Sequence, residues 1–151
     1  MQTRRETLKN SAMVAGLLAS TGLFPQFAHA YNKNAFEAKS LADAVKALGA
    51  GAPTESKDVT ITGPDIAENG AVVPVAAATT LAGVKHLLLL VEKNPSALVA
   101  VFNVTDSLEP SFSTRTKMGQ SSDVYAVAIM NDGKALFAKK EVKVTLGGCG
   151  G

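Results

Sequence analysis

The sequence predicts an all-β protein, on the basis of three observations. Short apolar or alternating runs recur after residue 58, turn residues separate these runs, and helical periodicity occurs in one segment only. Seven such runs in under 90 residues favour an Ig-like antiparallel β-sandwich of about seven strands, with one N-terminal helix and a flexible glycine-rich C-terminal arm. The predicted boundaries are a removed signal peptide at 1–30, the helix and sandwich domain at 31–146, and the arm at 147–151.

The first 30 residues are predicted to be an export signal rather than part of the fold. The pair Arg4-Arg5 begins a charged region, and no charged residue occurs from Asn10 to Ala28. The segment ends with Ala28-His29-Ala30, the pattern of a signal-peptidase site, so the mature chain is expected to begin at Tyr31. The arginine pair resembles a twin-arginine signal, with Thr7 where Phe is usual. We therefore predict a periplasmic protein exported by that route, with an ordinary Sec signal as the alternative.

The net charge of the chain resides in this signal. Its Arg4, Arg5 and Lys9 oppose Glu6 alone, and removing them from totals of 15 basic and 13 acidic residues leaves 12 of each. A neutral domain offers no electrostatic basis for binding nucleic acid. The apolar part of the signal, residues 12–24, is too short to remain as a membrane anchor.

One helix is predicted, from Asn34 to Leu48. Asn34 is a candidate N-cap with Glu37 three residues later, and apolar residues between 41 and 48 follow the spacing of one buried stripe. Gly49 is expected to end the helix in the left-handed conformation.

The remaining domain is predicted to be β-structure. The predicted strands are Val59–Thr62, Ala71–Ala78, Lys85–Glu92, Ala97–Val104, Ser111–Met118, Asp123–Met130 and Lys134–Thr145. The segment Asn131-Asp132-Gly133 is expected to form a hairpin turn between the last two strands. Pro74 is expected to place the second strand at a sheet edge or in a bulge.

Two runs are apolar on both faces, namely Leu87–Val91 and Leu98–Phe102. Strands of a sandwich normally alternate, because their outer faces meet water. Either the N-terminal helix or another chain must cover these outer faces, and we predict an interface with a partner chain here.

The mature chain contains no recognisable catalytic motif, cofactor motif or metal-ligand cluster. His86 is expected to be an ordinary histidine at the end of a strand. The other charged candidates are expected to be solvated: Asp65 with Glu68, Asp106 with Glu109, and the strand row of Arg115 and Lys117. We therefore predict a protein without a cofactor. Because the twin-arginine route exports folded proteins, a partner folded and exported together with this chain explains its use.

Cys149 is the residue that chemistry singles out. It is the only cysteine and lies in the segment Leu146-Gly147-Gly148-Cys149-Gly150-Gly151. Glycines on both sides remove steric bulk and free the backbone dihedrals. The pattern is typical of a thin arm that carries one sulfur into a narrow pocket of another protein.

Alternative roles for Cys149 explain less of this pattern. An intermolecular disulfide in an oxidising compartment accounts for the cysteine but not for the flanking glycines, and it would make the chain a non-catalytic Ig-like interaction subunit. Lipidation is excluded, because only two residues follow the cysteine and a lipoprotein has its cysteine at the start of the mature chain. A metal chaperone would need more ligands than Cys149 and His86.

Together, these features resemble the SoxY family, the sulfur-carrier subunits of the periplasmic thiosulfate-oxidising Sox system. The resemblance rests on the twin-arginine signal, the small β-rich domain and the Gly-Gly-Cys-Gly-Gly terminus. It extends along the mature chain through residues 48–53, 65–75 and 113–118.

The resemblance implies a carrier rather than an enzyme, an Ig-like sandwich paired with a SoxZ-like β subunit in a heterodimer. It implies that Cys149 holds the substrate covalently, while Gly147, Gly148, Gly150 and Gly151 supply reach and clearance. A c-type cytochrome, SoxAX, would join thiosulfate oxidatively to Cys149, and the hydrolase SoxB would release sulfate and leave a persulfide. Where present, the sulfane dehydrogenase SoxCD would oxidise the outer sulfur before SoxB acts again.

Overall fold

The computed structural model of the chain describes residues 32–145, in which two short helices precede nine strands. The helices are α1 (Lys33–Glu37) and α2 (Leu41–Ala47). The strands are β1 (Pro53–Glu55), β2 (Val59–Thr62), β3 (Ile66–Ala67), β4 (Val73–Thr79), β5 (Val84–Val91), β6 (Leu98–Asn103), β7 (Ser111–Thr116), β8 (Ser122–Met130) and β9 (Ala135–Val144). None of the helices in this part of the chain is long and apolar enough to cross a membrane.

The strands form two sheets packed as an Ig-like sandwich, which confirms the predicted fold class. The larger sheet has the order β1-β9-β8-β5-β6, with β3 added beside β9, and the smaller sheet has the order β2-β4-β7. Most neighbours are antiparallel, whereas β1 and β3 both pair with β9 in parallel. These two strands were not predicted, because three and two residues are too few to show alternation.

The apolar runs are explained by cover on both faces of the larger sheet. Along β5, Leu87, Leu89 and Val91 face the smaller sheet and form the main core with it. Leu88 and Leu90 point the other way and pack against buried residues of α1 and α2, such as Val45. The chain's own helices therefore supply the cover, so the apolarity of β5 does not require the partner interface that we predicted there.

The helical segment differs from the prediction of one helix over residues 34–48. Ala38 is extended, its carbonyl accepts a hydrogen bond from the Ala97 backbone N–H at 3.1 Å, and the helix begins again after Ser40. Asn32, not Asn34, caps α1, because its side chain accepts from the Ala35 N–H. The break lets the two helices follow the curved sheet while their buried residues stay on one side.

The turn predictions are confirmed. Gly49 has a φ of 80° and follows α2, and Gly133 has a φ of 85° in the hairpin between β8 and β9. Pro74 behaves as predicted only locally, because β4 is the central strand of the smaller sheet. It pairs with Arg115 of β7, while the pairing of β2 with β4 begins at Ala76, so β4 has one neighbour at Pro74.

Candidate functional site

The residues that the sequence assigns to chemistry lie outside the described part of the chain. Cys149 and Gly147, Gly148, Gly150 and Gly151 all follow Thr145, the last described residue. The signal predicted at residues 1–30 also lies outside it. The structure does describe the body from which residues 146–151 extend, and its contacts define how the arm would be attached.

The end of β9 is held by hydrogen bonds on both edges. On one side, the N–H of Lys143 donates to the Asp65 carbonyl at 3.0 Å and the N–H of Thr145 donates to the Ala67 carbonyl at 3.1 Å. On the other side, the N–H of Val144 donates to Ser121 Oγ at 2.9 Å. Each backbone donor from residue 143 to residue 145 is therefore satisfied, so β9 is fixed in place as far as Thr145.

Gly70 closes this support from below, and only a glycine fits there. A Cβ at residue 70 would lie 2.4 Å from the Met118 carbonyl oxygen and 2.9 Å from Val144 Cγ1. The Met118 N–H also donates to the Gly70 carbonyl at 2.7 Å. The turn Glu68-Asn69-Gly70, predicted from its sequence, therefore packs directly on the last residues of β9.

Lys140 ties the segment before β3 to β9. Its Nζ lies 2.8 Å from Asp65 Oδ1 and donates to the Gly63 carbonyl at 2.7 Å. The hydrogen bond and the positive charge of Lys140 hold the pKa of Asp65 below its usual value. Asp65 is thus part of the scaffold beside the arm, rather than a free loop charge as predicted. Sequence reasoning missed this pair because its members are 75 residues apart.

A groove of about 720 Å³ lies next to this scaffold, where β4 and β7 continue past the end of β2. It is lined by Thr62, Gly63, Pro64, Pro74, Val75, Ala76, Ser113, Thr114 and Arg115. Arg115 is exposed, as its predicted place in an outward-facing row requires. Its guanidinium is the positive group among the lining residues.

The remaining candidates are not brought together. His86 Nδ1 lies 2.9 Å from Asn103 Oδ1 on the neighbouring strand, and burial lowers the pKa of His86. Asp106 and Glu109 are exposed in the connection between β6 and β7. Within residues 32–145, no group of three or more His, Cys, Asp or Glu residues could hold a metal ion.

Comparison with known proteins gives one sequence family. A family model described as sulfur oxidation protein SoxY matches residues 44–149, which is most of the chain and includes Cys149. No curated protein matches the chain.

Solved structures agree with this result. The sulfur carrier protein SoxY from Chlorobium limicola f thiosulfatophilum is 37% identical, with a TM-score of 0.57 over 62% of this chain and 84% of that chain. A superoxide reductase (neelaredoxin) from Ignicoccus hospitalis has a TM-score of 0.51 at 19% identity, over 58% of this chain and 79% of that one. A putative superoxide reductase from Thermotoga maritima has the same TM-score at 10% identity, over 61% and 93%. The reductases share the fold alone, whereas the family match extends to the cysteine segment: the chain belongs to the SoxY family of sulfur oxidation proteins.

Proposed function

We propose that this chain is a covalent sulfur carrier in periplasmic thiosulfate oxidation and that the thiol of Cys149 is the attachment point. The observation that carries the proposal is the family match, which runs from residue 44 to Cys149, the only cysteine of the chain. The similarity to a solved sulfur carrier protein supports it. The chain supplies the attachment group, and partner proteins perform the chemistry.

The attachment step is an oxidation. The outer sulfur of thiosulfate bonds to Cys149 Sγ, the thiol loses its proton, and two electrons leave to a c-type cytochrome of the SoxAX kind. Water then attacks the terminal sulfone on a hydrolase of the SoxB kind. The bond between the sulfane and sulfone sulfurs breaks, sulfate and a proton are released, and Cys149 retains a persulfide.

The geometry around Thr145 suits a tethered carrier. The backbone donors of residues 143–145 are bonded to the body of the domain, so the tether has a fixed origin. Four residues separate Thr145 from Cys149, and an extended chain covers about 3.3–3.6 Å per residue. The sulfur therefore reaches at most about 14 Å from the Thr145 Cα. Glycines at 147, 148, 150 and 151 keep this tether thin enough for a narrow channel.

The proposal includes export and a partner. Residues 1–30 act as a twin-arginine signal, and the folded domain crosses the membrane together with a SoxZ-like β subunit that lacks a signal of its own. If so, replacing Arg4-Arg5 with Lys-Lys leaves both chains in the cytoplasm, which fractionation of cells followed by immunoblotting would show. Export of the variant at the normal level would contradict this route.

The decisive experiment concerns Cys149. Intact-mass spectrometry of the purified complex, incubated with thiosulfate and the cytochrome and hydrolase components, should show sulfur adducts on wild-type chain and none on Cys149→Ser. Thiosulfate-dependent electron transfer should fall to background in that variant, because serine cannot form the sulfur–sulfur bond. Undiminished thiosulfate oxidation by Cys149→Ser would refute the carrier role. A disulfide-linked dimer that persists through turnover on non-reducing gels, without adducts, would favour the interaction-subunit alternative.

A further inference from the structure

Exposed apolar side chains in this protein are concentrated beside the base of the arm. Ile66, Val72 and Leu108 are the large apolar side chains that are strongly exposed in residues 32–145, at 56%, 52% and 49%. Two of these three lie within residues 66–72, which we call the arm-base segment. The third lies in the connection between β6 and β7.

The arm-base segment is attached to the last residues of β9. Ile66 pairs in register with Lys143, and Ala67 pairs with Val144. At the other end of the segment, Gly70 approaches Val144 so closely that no side chain fits between them. Both exposed side chains therefore belong to a segment fixed to the residues from which the arm extends.

The length of the arm determines what must contact this surface. Because Cys149 reaches no further than about 14 Å from Thr145, an enzyme with a recessed reactive centre must bring its outer surface close to Thr145. The body of the carrier that faces such an enzyme is the surface around the end of β9. The arm-base segment is part of that surface.

We propose that Ile66 and Val72 form a docking patch for the enzymes that receive the Cys149 arm. The inference rests on the proposed carrier function and adds a site on the body of the domain. The occupant is a folded enzyme whose channel entrance presents apolar groups to these two side chains. The enzyme gains contact with the body while the arm occupies its channel.

The size of the patch favours a transient enzyme complex over a permanent subunit interface. A stable interface buries on the order of 1,600 Å² in total and involves roughly 20–30 residues on each side. Two exposed aliphatic side chains provide only a small part of that. A carrier must leave each enzyme after reaction, so weak additional contact suits its cycle, and a stable heterodimer needs a larger surface elsewhere.

The test compares neutral substitutions at the three exposed positions. Ile66→Gln combined with Val72→Gln removes the apolar patch without adding charge near the anionic sulfur group. Leu108→Gln is the matched control. It lies two residues from Pro110, whose carbonyl accepts from the N–H of Thr79, the far end of β4. The six residue steps of β4 between Val73 and Thr79 place this control about 20 Å from the arm-base segment.

The measurement is the rate of sulfate release by the purified SoxB-type hydrolase as the concentration of thiosulfate-loaded carrier complex is varied. We expect the double variant to need about five- to tenfold more carrier for half-maximal rate, with the rate at saturation unchanged. The Leu108→Gln carrier should behave as wild type. Alkylation of Cys149 by iodoacetamide should proceed equally in all three, because the thiol itself is unaltered.

Two results would overturn the docking patch. One is a half-maximal concentration in the double variant equal to that of Leu108→Gln. The other is loss of the heterodimer in size-exclusion chromatography, which would assign these side chains to the permanent partner subunit. Both differ from failure of the carrier function, which would appear as the absence of any sulfur adduct on wild-type Cys149.

Discussion

Gly70 is the residue around the arm base for which the structure leaves no alternative. The constraint is one of space, since a Cβ there would meet the Met118 backbone oxygen at 2.4 Å, and a carbonyl oxygen in a paired backbone cannot rotate away. The contact holds the turn before β4 against the end of β9. Gly70 thereby links the local turn sequence to the position from which the arm extends.

We predict that Gly70→Ala destabilises the domain by about 1–3 kcal/mol, because the added methyl group forces the turn away from Met118 and Val144. Urea-induced unfolding followed by circular dichroism measures this loss. Gly119→Ala is the matched control, since a Cβ at residue 119 meets nothing within 4 Å. Equal stability of the two variants would show that the close approach at Gly70 is not maintained in solution.

The N-terminal helical segment shows how an element is divided by its hydrogen bonds. Ser40 begins α2, with its Oγ accepting from the Asp43 N–H at 3.2 Å and donating to Asp43 Oδ2 at 2.7 Å. The carboxylate of Asp43 also lies in the first turn, where negative charge interacts favourably with the helix dipole. The periodicity of residues 41–48 reported α2 correctly, but it did not show that α1 is a separate helix.

Loss of this cap has a predictable cost. Ser40→Ala should lower the free energy of unfolding by about 1 kcal/mol, within the range of 0.5–2 kcal/mol found for N-cap serines. Ser107→Ala, at an exposed position in the connection between β6 and β7, serves as the control and should change stability by less than about 0.5 kcal/mol. Thermal unfolding of both variants decides the matter, and an unchanged midpoint for Ser40→Ala would argue against the cap.

The described part of the molecule is built as three layers around the larger sheet. One apolar layer lies between the two sheets and another lies between the larger sheet and the helices. This arrangement explains why β5 and β8 are buried on both faces, as the strands of a sandwich with two exposed outer faces are not. The helical segment is therefore an integral part of the core.

A charge placed in the helix layer tests this arrangement. Val45 is fully buried in α2, and Val45→Asp should destabilise the domain by about 3 kcal/mol or more, because an unpaired carboxylate there loses its hydration. The same substitution at the exposed Ala42, one turn earlier, should be close to neutral. Chemical denaturation compares the two, and similar midpoints would mean that α2 does not pack on the sheet.

The sequence predicted much of the domain because the signals are local. Alternation at Val59–Thr62 and Ser111–Met118, the glycine turns at 49 and 133, and the hairpin between β8 and β9 all involve neighbours along the chain. For the site, it singled out Cys149 and its glycines, which stay predictions. It did not show the support beneath them, since Lys140 meets Asp65 only after the sheet has formed.

By itself, the sequence determined the all-β class, the periodic burial of its strands and a lone cysteine among glycines, since each follows from composition and from spacing over a few residues. Only the tertiary structure decided that helices cover the outer face of β5, that β1 and β3 flank β9 in parallel, and that Ile66 and Val72 stand beside the end of β9. These features depend on contacts between residues far apart in the chain. Such contacts are selected by the packing of the whole domain, which no local pattern records.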